Sequence, residues 1–200
     1  MTLRTLIESL FSRSAAKASG GGRSPPSRAR AESNRWLRLH CRDIRGRVLS
    51  IGSGNDADGE GDFYRRYFSM ADSYTTSEVT KEFNCDLTLD IRSMPELADE
   101  AFDCIYCSGV LEHVDDPFAG IKEMTRVLKP GGVLLLGVPF RQAIHMAPQD
   151  FWRFTEFGIR HLLRDAFEIL ELTQILTDPI CGANFPATYW VKARKTRRIV

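Results

Sequence analysis

The chain has 200 residues, 43% hydrophobic and 26% charged, which suits one soluble globular domain, with or without a tail, and supplies enough apolar material for a sizeable core. Its 27 Lys and Arg nearly balance its 26 Asp and Glu, and this net charge of +1 argues against both a strongly basic nucleic-acid binder and an acidic disordered chain. No apolar run approaches the roughly 20 residues that span a bilayer, so no transmembrane segment is expected.

The charge is unevenly spread. Residues 1–32 hold six basic side chains and two acids, which leaves a charge of −3 on residues 33–200. Leu3, Leu6, Ile7, Leu10 and Phe11 line one face of a helix over 2–18, and the Gly, Ser, Pro and Arg of 19–30 read as a flexible linker. Residues 1–30 are therefore expected to form a basic, flexible extension and 31–200 the domain. Transit-peptide or membrane-surface roles are the sharper alternatives for that leader.

From residue 31 the pattern is regular. Residues 31–46 read as a helix, 47–52 as an apolar strand, 62–72 as a helix with an aromatic stripe, and 73–79 as a β-branched strand. Residues 85–91 and 102–110 are two further strands. Residues 117–128 have helical spacing and stop at Lys129-Pro130-Gly131-Gly132. The run 133–140 is apolar on both faces, as a central parallel strand requires. A helix over 155–166 has Thr155 as its N-cap, and two strands, 167–175 and 187–195, follow with no helix between them. Strands alternating with helices indicate a doubly wound, Rossmann-like α/β sheet, and the last two strands should pair as an antiparallel edge.

Five cysteines stand at 41, 85, 104, 107 and 181. Cys104 and Cys107 form a CxxC without a partner pair. Positions three apart on a strand face opposite sides, so the spacing reads as structural rather than as a redox or metal pair. No metal is expected from it, and reduced thiols imply a cytoplasmic setting.

Ligands bind such sheets at the carboxyl ends of the strands. The first strand runs into Gly52-Ser53-Gly54, where the missing Cβ atoms let a ligand approach the backbone. With Ala57 the string also satisfies a dinucleotide fingerprint. Asp56, Asp58, Glu60 and Asp62 crowd the next segment and would repel a pyrophosphate, whereas a sulfonium nucleoside tolerates an acidic rim. These acids also suit a solvated loop and a helix cap. Glu78, at the end of the second strand and 24 residues after Gly54, can accept both hydroxyls of a ribose. Asp90, at the end of the third strand, can take the exocyclic amine of adenine or serve as a turn residue.

In order and spacing, VLSIGSG, Glu78, DLTLDIRSMP, FDCIYCSGVLEHVDDP, EMTRVLKPGG and VLLLGVPF resemble the class I S-adenosylmethionine-dependent methyltransferases. The likeness is to the small-molecule branch that carries Leu111-Glu112-His113 after the fourth strand, and it covers about residues 45–195. It implies a seven-stranded sheet, mostly parallel, whose last strand is antiparallel. It also implies S-adenosylmethionine as cofactor, held at Gly52, Ser53, Gly54, Glu78, Asp90, Ile91 and Ser108. The pattern departs at two positions. Ser50 stands where the family often has an acid, and Asp56 where a third glycine is common, which predicts a local backbone change in the loop.

Methyl transfer is an in-line displacement, so the enzyme mainly supplies alignment, and a base is needed only for a protonated acceptor. The segment after the fifth strand resembles a family string H-x-x-P-x-D-[FY]-W-R-F-T. In it His145 or Asp150 can act as base, Arg153 can clamp an anionic acceptor, and Phe151 and Trp152 can wall the pocket. An ion pair between Asp150 and Arg153, with Trp152 in the core, is the structural alternative. His113 is expected to shape the loop and the acceptor pocket rather than to catalyse. The basic stretch 192–200 reads as an edge strand with a solvated tail. The expected partner is a small-molecule acceptor and not nucleic acid. The rival readings are an NAD(P)-linked oxidoreductase or epimerase and a catalytically inactive cofactor-binding module.

Overall fold

Seven strands in the order β3-β2-β1-β4-β5-β7-β6 form one sheet in the computed structural model, which describes residues 27–178 and 185–196. The expected amphipathic segment 2–18, most of the linker, Cys181 and the end of the basic stretch lie outside the described residues. Strands β1 (Arg47–Ile51), β2 (Ser73–Glu78), β3 (Leu87–Thr88), β4 (Phe102–Ser108) and β5 (Leu128–Pro139) pair in parallel. Strand β7 (Pro186–Lys195) lies antiparallel between β5 and β6 (Phe167–Thr177). The antiparallel last strand is thus as expected, but it is an interior strand, and β6 forms the edge.

Helices cover both faces. On one face α2 (Pro117–Val127) and α3 (Glu156–Leu163) bury Ile121, Met124, Ile159 and Leu163 against Leu49, Ile105 and Leu136. Each starts at a side-chain cap. Asp116 accepts from the Ala119 N–H at 3.0 Å, and Thr155 accepts from the Gly158 N–H at 3.1 Å, as expected of Thr155. On the other face α1 (Arg28–Cys41) packs Trp36 and Leu37 against Val48, Tyr106 and Leu135. Trp36 stacks on Trp190 of β7 at 5.2 Å and donates its indole N–H to Glu171 at 2.8 Å. Cys104 joins this second cluster and Cys107 the first, so the CxxC straddles the sheet. Burial pushes both thiols up.

Four boundaries differ from the sequence reading. Helix α1 begins at Arg28 because Ser27 caps the Arg30 N–H at 3.2 Å, so residues 28–30 are helical rather than linker. Residues 62–72 form only a single 3-10 turn, Tyr64–Tyr67, instead of a helix. Nearby carboxylates claim the segment: Asp62 takes the Phe63 N–H, Asp56 takes the Arg65 N–H, and Asp58 holds the Tyr67 hydroxyl. The strand expected at 85–91 shrinks to two residues because the Asp86 carboxylate takes the Thr76 N–H and hydroxyl. The Lys129–Gly132 stop is instead a bulge inside β5, where pairing with β4 jumps from Leu128 to Val133.

The acids after the first strand form an anchor rather than a rim. Asp58 is fully buried; it takes the backbone N–H of Glu60 and Asp62, the Tyr67 hydroxyl and Arg38 of α1. Glu60 binds the same Arg38 at 2.7 Å and Asn34 at 3.0 Å. Asp56 holds Arg65 at 2.7 Å and the Tyr74 hydroxyl at 3.0 Å. Burial works against ionisation of Asp58, but these donors outweigh it and hold its carboxyl below the usual range. That contribution is present above the unfolded carboxylate value, near pH 4, and is lost as pH falls through the folded one. Asp58→Asn should therefore cost about 2–4 kcal/mol at pH 7 in urea unfolding, with the gap to wild type closing on acidification below about pH 4.

Candidate active site

The glycine loop sits at the carboxyl edge of β1, where β2 and β4 flank it. Gly52 and Gly54 have φ of 68° and 53°. A Cβ at Gly52 would lie 2.3 Å from a Val110 methyl carbon, so only glycine fits between this loop and the loop after β4. Asp56 takes φ 58°, the left-handed conformation usual for glycine, and its carboxylate ties to Arg65 and Tyr74 support it. The glycine-to-acid change is thus accommodated in a left-handed residue. At Ser50 a hydroxyl network stands where the family often has a carboxylate. Ser53 donates to the Ser50 hydroxyl at 2.7 Å, and Ser77 donates to the Ser50 carbonyl at 2.9 Å.

Glu78 ends β2 beside this loop. Its Oε1 accepts the Gly54 N–H at 2.8 Å and its Oε2 the Val79 N–H at 3.2 Å. Burial pushes its carboxyl up, against those two donors. Most backbone donors of the loop are taken within the protein. The Ser53 N–H goes to Ser77, the Asp56 N–H to Ser53, the Ala57 N–H to the Asn55 side chain, and the Asp58 N–H to Asp62.

Asp90 and Ile91 follow β3. Ile91 is buried, and Asp90 is paired through both oxygens with Arg92, at 2.7 Å for the shortest contact. Arg92 also reaches Asp115 at 2.8 Å. Ser108 is the last residue of β4, and its hydroxyl oxygen is 2.8 Å from where a Gly137 Cβ would stand. Gly52, Ser53, Gly54, Glu78, Asp90, Ile91 and Ser108 thus come from the carboxyl ends of four strands, or the turns just past them, at one edge of the sheet.

A polar cluster lies beyond β4 and β5. Residues 140–155 carry no helix or strand and double back on the 3-10 turn Leu111–His113, whose Glu112 carbonyl accepts the N–H groups of Phe151 and Trp152 at 2.7 and 3.2 Å. Trp152 donates its indole N–H to Val114 at 2.8 Å and leaves part of its ring exposed. His113 Nδ1 meets the Gln149 carbonyl at 2.6 Å, and burial pushes its imidazole down. The His113 and His145 rings are in edge contact at 4.8 Å. Asp150 is paired with Arg153 at 2.7 and 2.8 Å and accepts the His145 N–H at 2.8 Å. Arg153 holds Asp150 well below the usual carboxylate range. Arg153 spends its remaining donors on the carbonyls of Gln142, Ala143 and Trp152. Asp150 and Arg153 thus form a structural ion pair, with neither base nor anion clamp left over.

Glu112 was not singled out from sequence beyond its place in the Leu-Glu-His string. It is 2% exposed, burial pushes its carboxyl up to about 7, and its Oε2 has no hydrogen-bond partner. The adjacent acid and imidazole in that string were the available signal. An open depression of about 490 Å³, lined by Gly131, Glu168, Arg194, Lys195 and Thr196, lies at the other end of the sheet and touches none of these residues.

Residues 51–136 match the model of a family described as a methyltransferase domain. The N-methyltransferase NodS of Bradyrhizobium japonicum, solved in complex with S-adenosyl-L-homocysteine, superposes with a TM-score of 0.67 over 96% of this chain and 98% of its own, at 19% identity. The chain has the fold of that methyltransferase. The tRNA U34 carboxymethyltransferase of Pseudoalteromonas translucida is 33% identical over 116 residues, 51% of this chain and 35% of that protein. The ubiquinone biosynthesis O-methyltransferase of Xanthomonas oryzae pv. oryzae is 47% identical over 49 residues, 23% of this chain and 20% of that enzyme. The chain thus spans about a third or less of the curated relatives it matches. The matched segment runs from the glycine loop to β5 and includes Glu78, Asp90, Ser108 and the Leu111-Glu112-His113 turn.

The packing at Gly52 makes a direct test of this edge. Gly52→Ala should lower stability by about 2–3 kcal/mol, from the clash and the positive φ together. Adding Val110→Ala should recover the clash but leave about 1 kcal/mol of backbone cost, read by thermal or urea unfolding of both variants.

Proposed function

We propose that this domain binds S-adenosylmethionine at the carboxyl edge of β1 and β2 and transfers its methyl group to an O, N or C atom of a small-molecule acceptor. One observation carries the choice of ligand class. The glycine loop is followed by a hydrogen-bonded loop and a 3-10 turn, not by an α-helix. A dinucleotide needs the free N–H groups and positive dipole end of a helix N-terminus for its pyrophosphate. Here those N–H groups are taken by Ser77, Glu78, Ser53, Asn55 and Asp62. S-adenosylmethionine has no phosphate and makes no such demand. The acids Asp56, Asp58 and Glu60 contribute little to this choice, since Arg38 and Arg65 pair with them and leave only one negative charge of the three.

In this reading Glu78 binds the ribose. Each of its oxygens has taken one backbone N–H and keeps a lone pair for a hydroxyl. Ile91 gives the adenine an apolar wall, and Asp90 competes for its amine with Arg92. Gly52, Ser53, Gly54 and Ser108 border the methionine half. Holding sulfur, methyl and acceptor in line supplies the rate enhancement, worth up to roughly 7–11 kcal/mol in well-oriented systems. The acceptor lies against Trp152, His113 and His145. His145 is the base for an acceptor that arrives protonated, and Asp150, through its hold on the His145 backbone and on Arg153, sets the position of that loop. Nothing in this arrangement calls for nucleic acid. The reading places the reaction in the cytoplasm, and among the described residues no helix is long and apolar enough to cross a membrane.

Calorimetry with S-adenosylhomocysteine and with NAD tests the reading; tighter binding of NAD would overturn it. Glu78→Ala should weaken S-adenosylhomocysteine binding by about 1–3 kcal/mol, roughly 5- to 150-fold, while the far-ultraviolet spectrum stays unchanged. Unaltered affinity would remove Glu78 from the ribose.

A further inference from the structure

We infer that Glu112, His113 and His145 form a binding site for a divalent transition-metal ion of the zinc class. One carboxylate oxygen of Glu112 and one ring nitrogen from each histidine lie within 4.8 Å of one another. These residues come from two separate segments, the turn after β4 and the loop after β5, and are brought together by the double hydrogen bond from Phe151 and Trp152 to the Glu112 carbonyl.

Three further features point to a ligand. The Glu112 carboxylate is buried, and its Oε2 finds no partner in the protein. A buried, unpartnered carboxylate oxygen is costly unless a proton or a cation joins it. Both imidazoles are oriented from behind. His113 Nδ1 meets the Gln149 carbonyl at 2.6 Å, and His145 Nδ1 faces the Ala143 carbonyl at 3.1 Å and Asp150 at 3.4 Å. Carbonyl and carboxylate partners at Nδ1 leave each Nε2 with its lone pair, the outer-shell pattern of metal-binding histidines. The local charge also suits a cation. Arg153 is a positive side chain that acts on Glu112, and Asp150 neutralises it through two hydrogen bonds, so no free guanidinium opposes a cation beside the deprotonated Glu112.

Two imidazoles and one carboxylate favour zinc, cobalt or nickel over magnesium and calcium, which prefer all-oxygen shells. Donors about 2.1 Å from one ion stand roughly 3.4 Å apart in a tetrahedron, so a set spread over 4.8 Å must close by up to about 1.4 Å. His145 can supply that movement, since it is part-exposed on a loop outside regular structure. Three protein donors leave a position open, and an ion there would polarise an oxygen or nitrogen that takes it. This inference concerns metal binding itself and holds whether or not the methyl-transfer reading does; with the ion bound, His145 is its ligand and no longer a base, and the ion instead favours loss of the acceptor's proton.

The test is titration of the chelator-stripped full chain with Co²⁺, read by its visible d–d absorption, beside calorimetry with S-adenosylhomocysteine. One equivalent should bind, with Zn²⁺ displacing it at far lower concentration than Mg²⁺. His145→Ala and Glu112→Gln should each weaken Co²⁺ binding at least tenfold and keep the wild-type circular dichroism, whereas His40→Ala and His161→Ala should bind as wild type does. Absence of a d–d band, an unchanged titration in both site variants, or equal displacement by Mg²⁺ would overturn the assignment. Loss of S-adenosylhomocysteine binding with Co²⁺ binding intact would count against the proposed cofactor alone.

Discussion

The acidic loop between β1 and β2 holds the ligand edge of this molecule in shape. A doubly wound sheet usually routes that crossover through a helix, whose own hydrogen bonds make it rigid. This crossover contains one 3-10 turn, and its order comes from side chains instead. Asp58 and Glu60 clamp Arg38 and Asn34 of α1, and Asp56 clamps Arg65 and Tyr74. Carboxylates with several charge-assisted donors each are strong local fasteners. The aromatic side chains Tyr64, Tyr67 and Phe68 then complete the face by packing among themselves and on Tyr106 and Tyr74.

With that loop fixed, the two halves of the cleft are built differently. On the side proposed for the cofactor the geometry is mostly backbone: left-handed glycines, the Ser50–Ser53–Ser77 network and one carboxylate at Glu78. On the acceptor side it is mostly side chain. The Asp150–Arg153 pair and the indole hydrogen bond of Trp152 hold an otherwise irregular segment against the turn after β4. The proposed function, one constant methyl donor and a variable acceptor, fits such a division, since loops change without disturbing the sheet.

Much of this was legible in the sequence because the signals were local and agreed with one another. The apolar runs at 47–52, 102–110 and 133–140, the cap Thr155, and the distance from Gly54 to Glu78 all act through neighbours in the chain or the sheet register. What was missed depends on partners far away in sequence. The acids at 58 and 60 look like a solvated rim until α1 is seen to bring Arg38 and Asn34 against them, some 20 or more residues upstream, while Asp56 turns to Arg65 and Tyr74. The carboxylates of Asp56, Asp58 and Asp62 also claim donors of 63–67 and cancel the helix that the aromatic spacing of 62–72 suggests. Asp86 and Asp90 resemble strand residues in CDLTLDI, yet their carboxylates bind Thr76 and Arg92, and the strand shortens to Leu87–Thr88. The roles of Asp150 and Arg153 turned on whether they meet each other, which spacing allows but does not decide.

The position of β7 has a consequence for how the chain reaches this state. Among the described strands, β6 touches only β7, and β5 meets β6 only through it. Residues 167–177 therefore have no seat in the sheet until residues 186–195 have been synthesised and threaded into the gap. A ribosome-bound chain lacking that segment would expose the apolar flank of β5, with Leu134, Leu135 and Leu136 waiting for their neighbour. Closure of that half of the molecule is a late event by construction, set by connectivity rather than by the strength of any single contact.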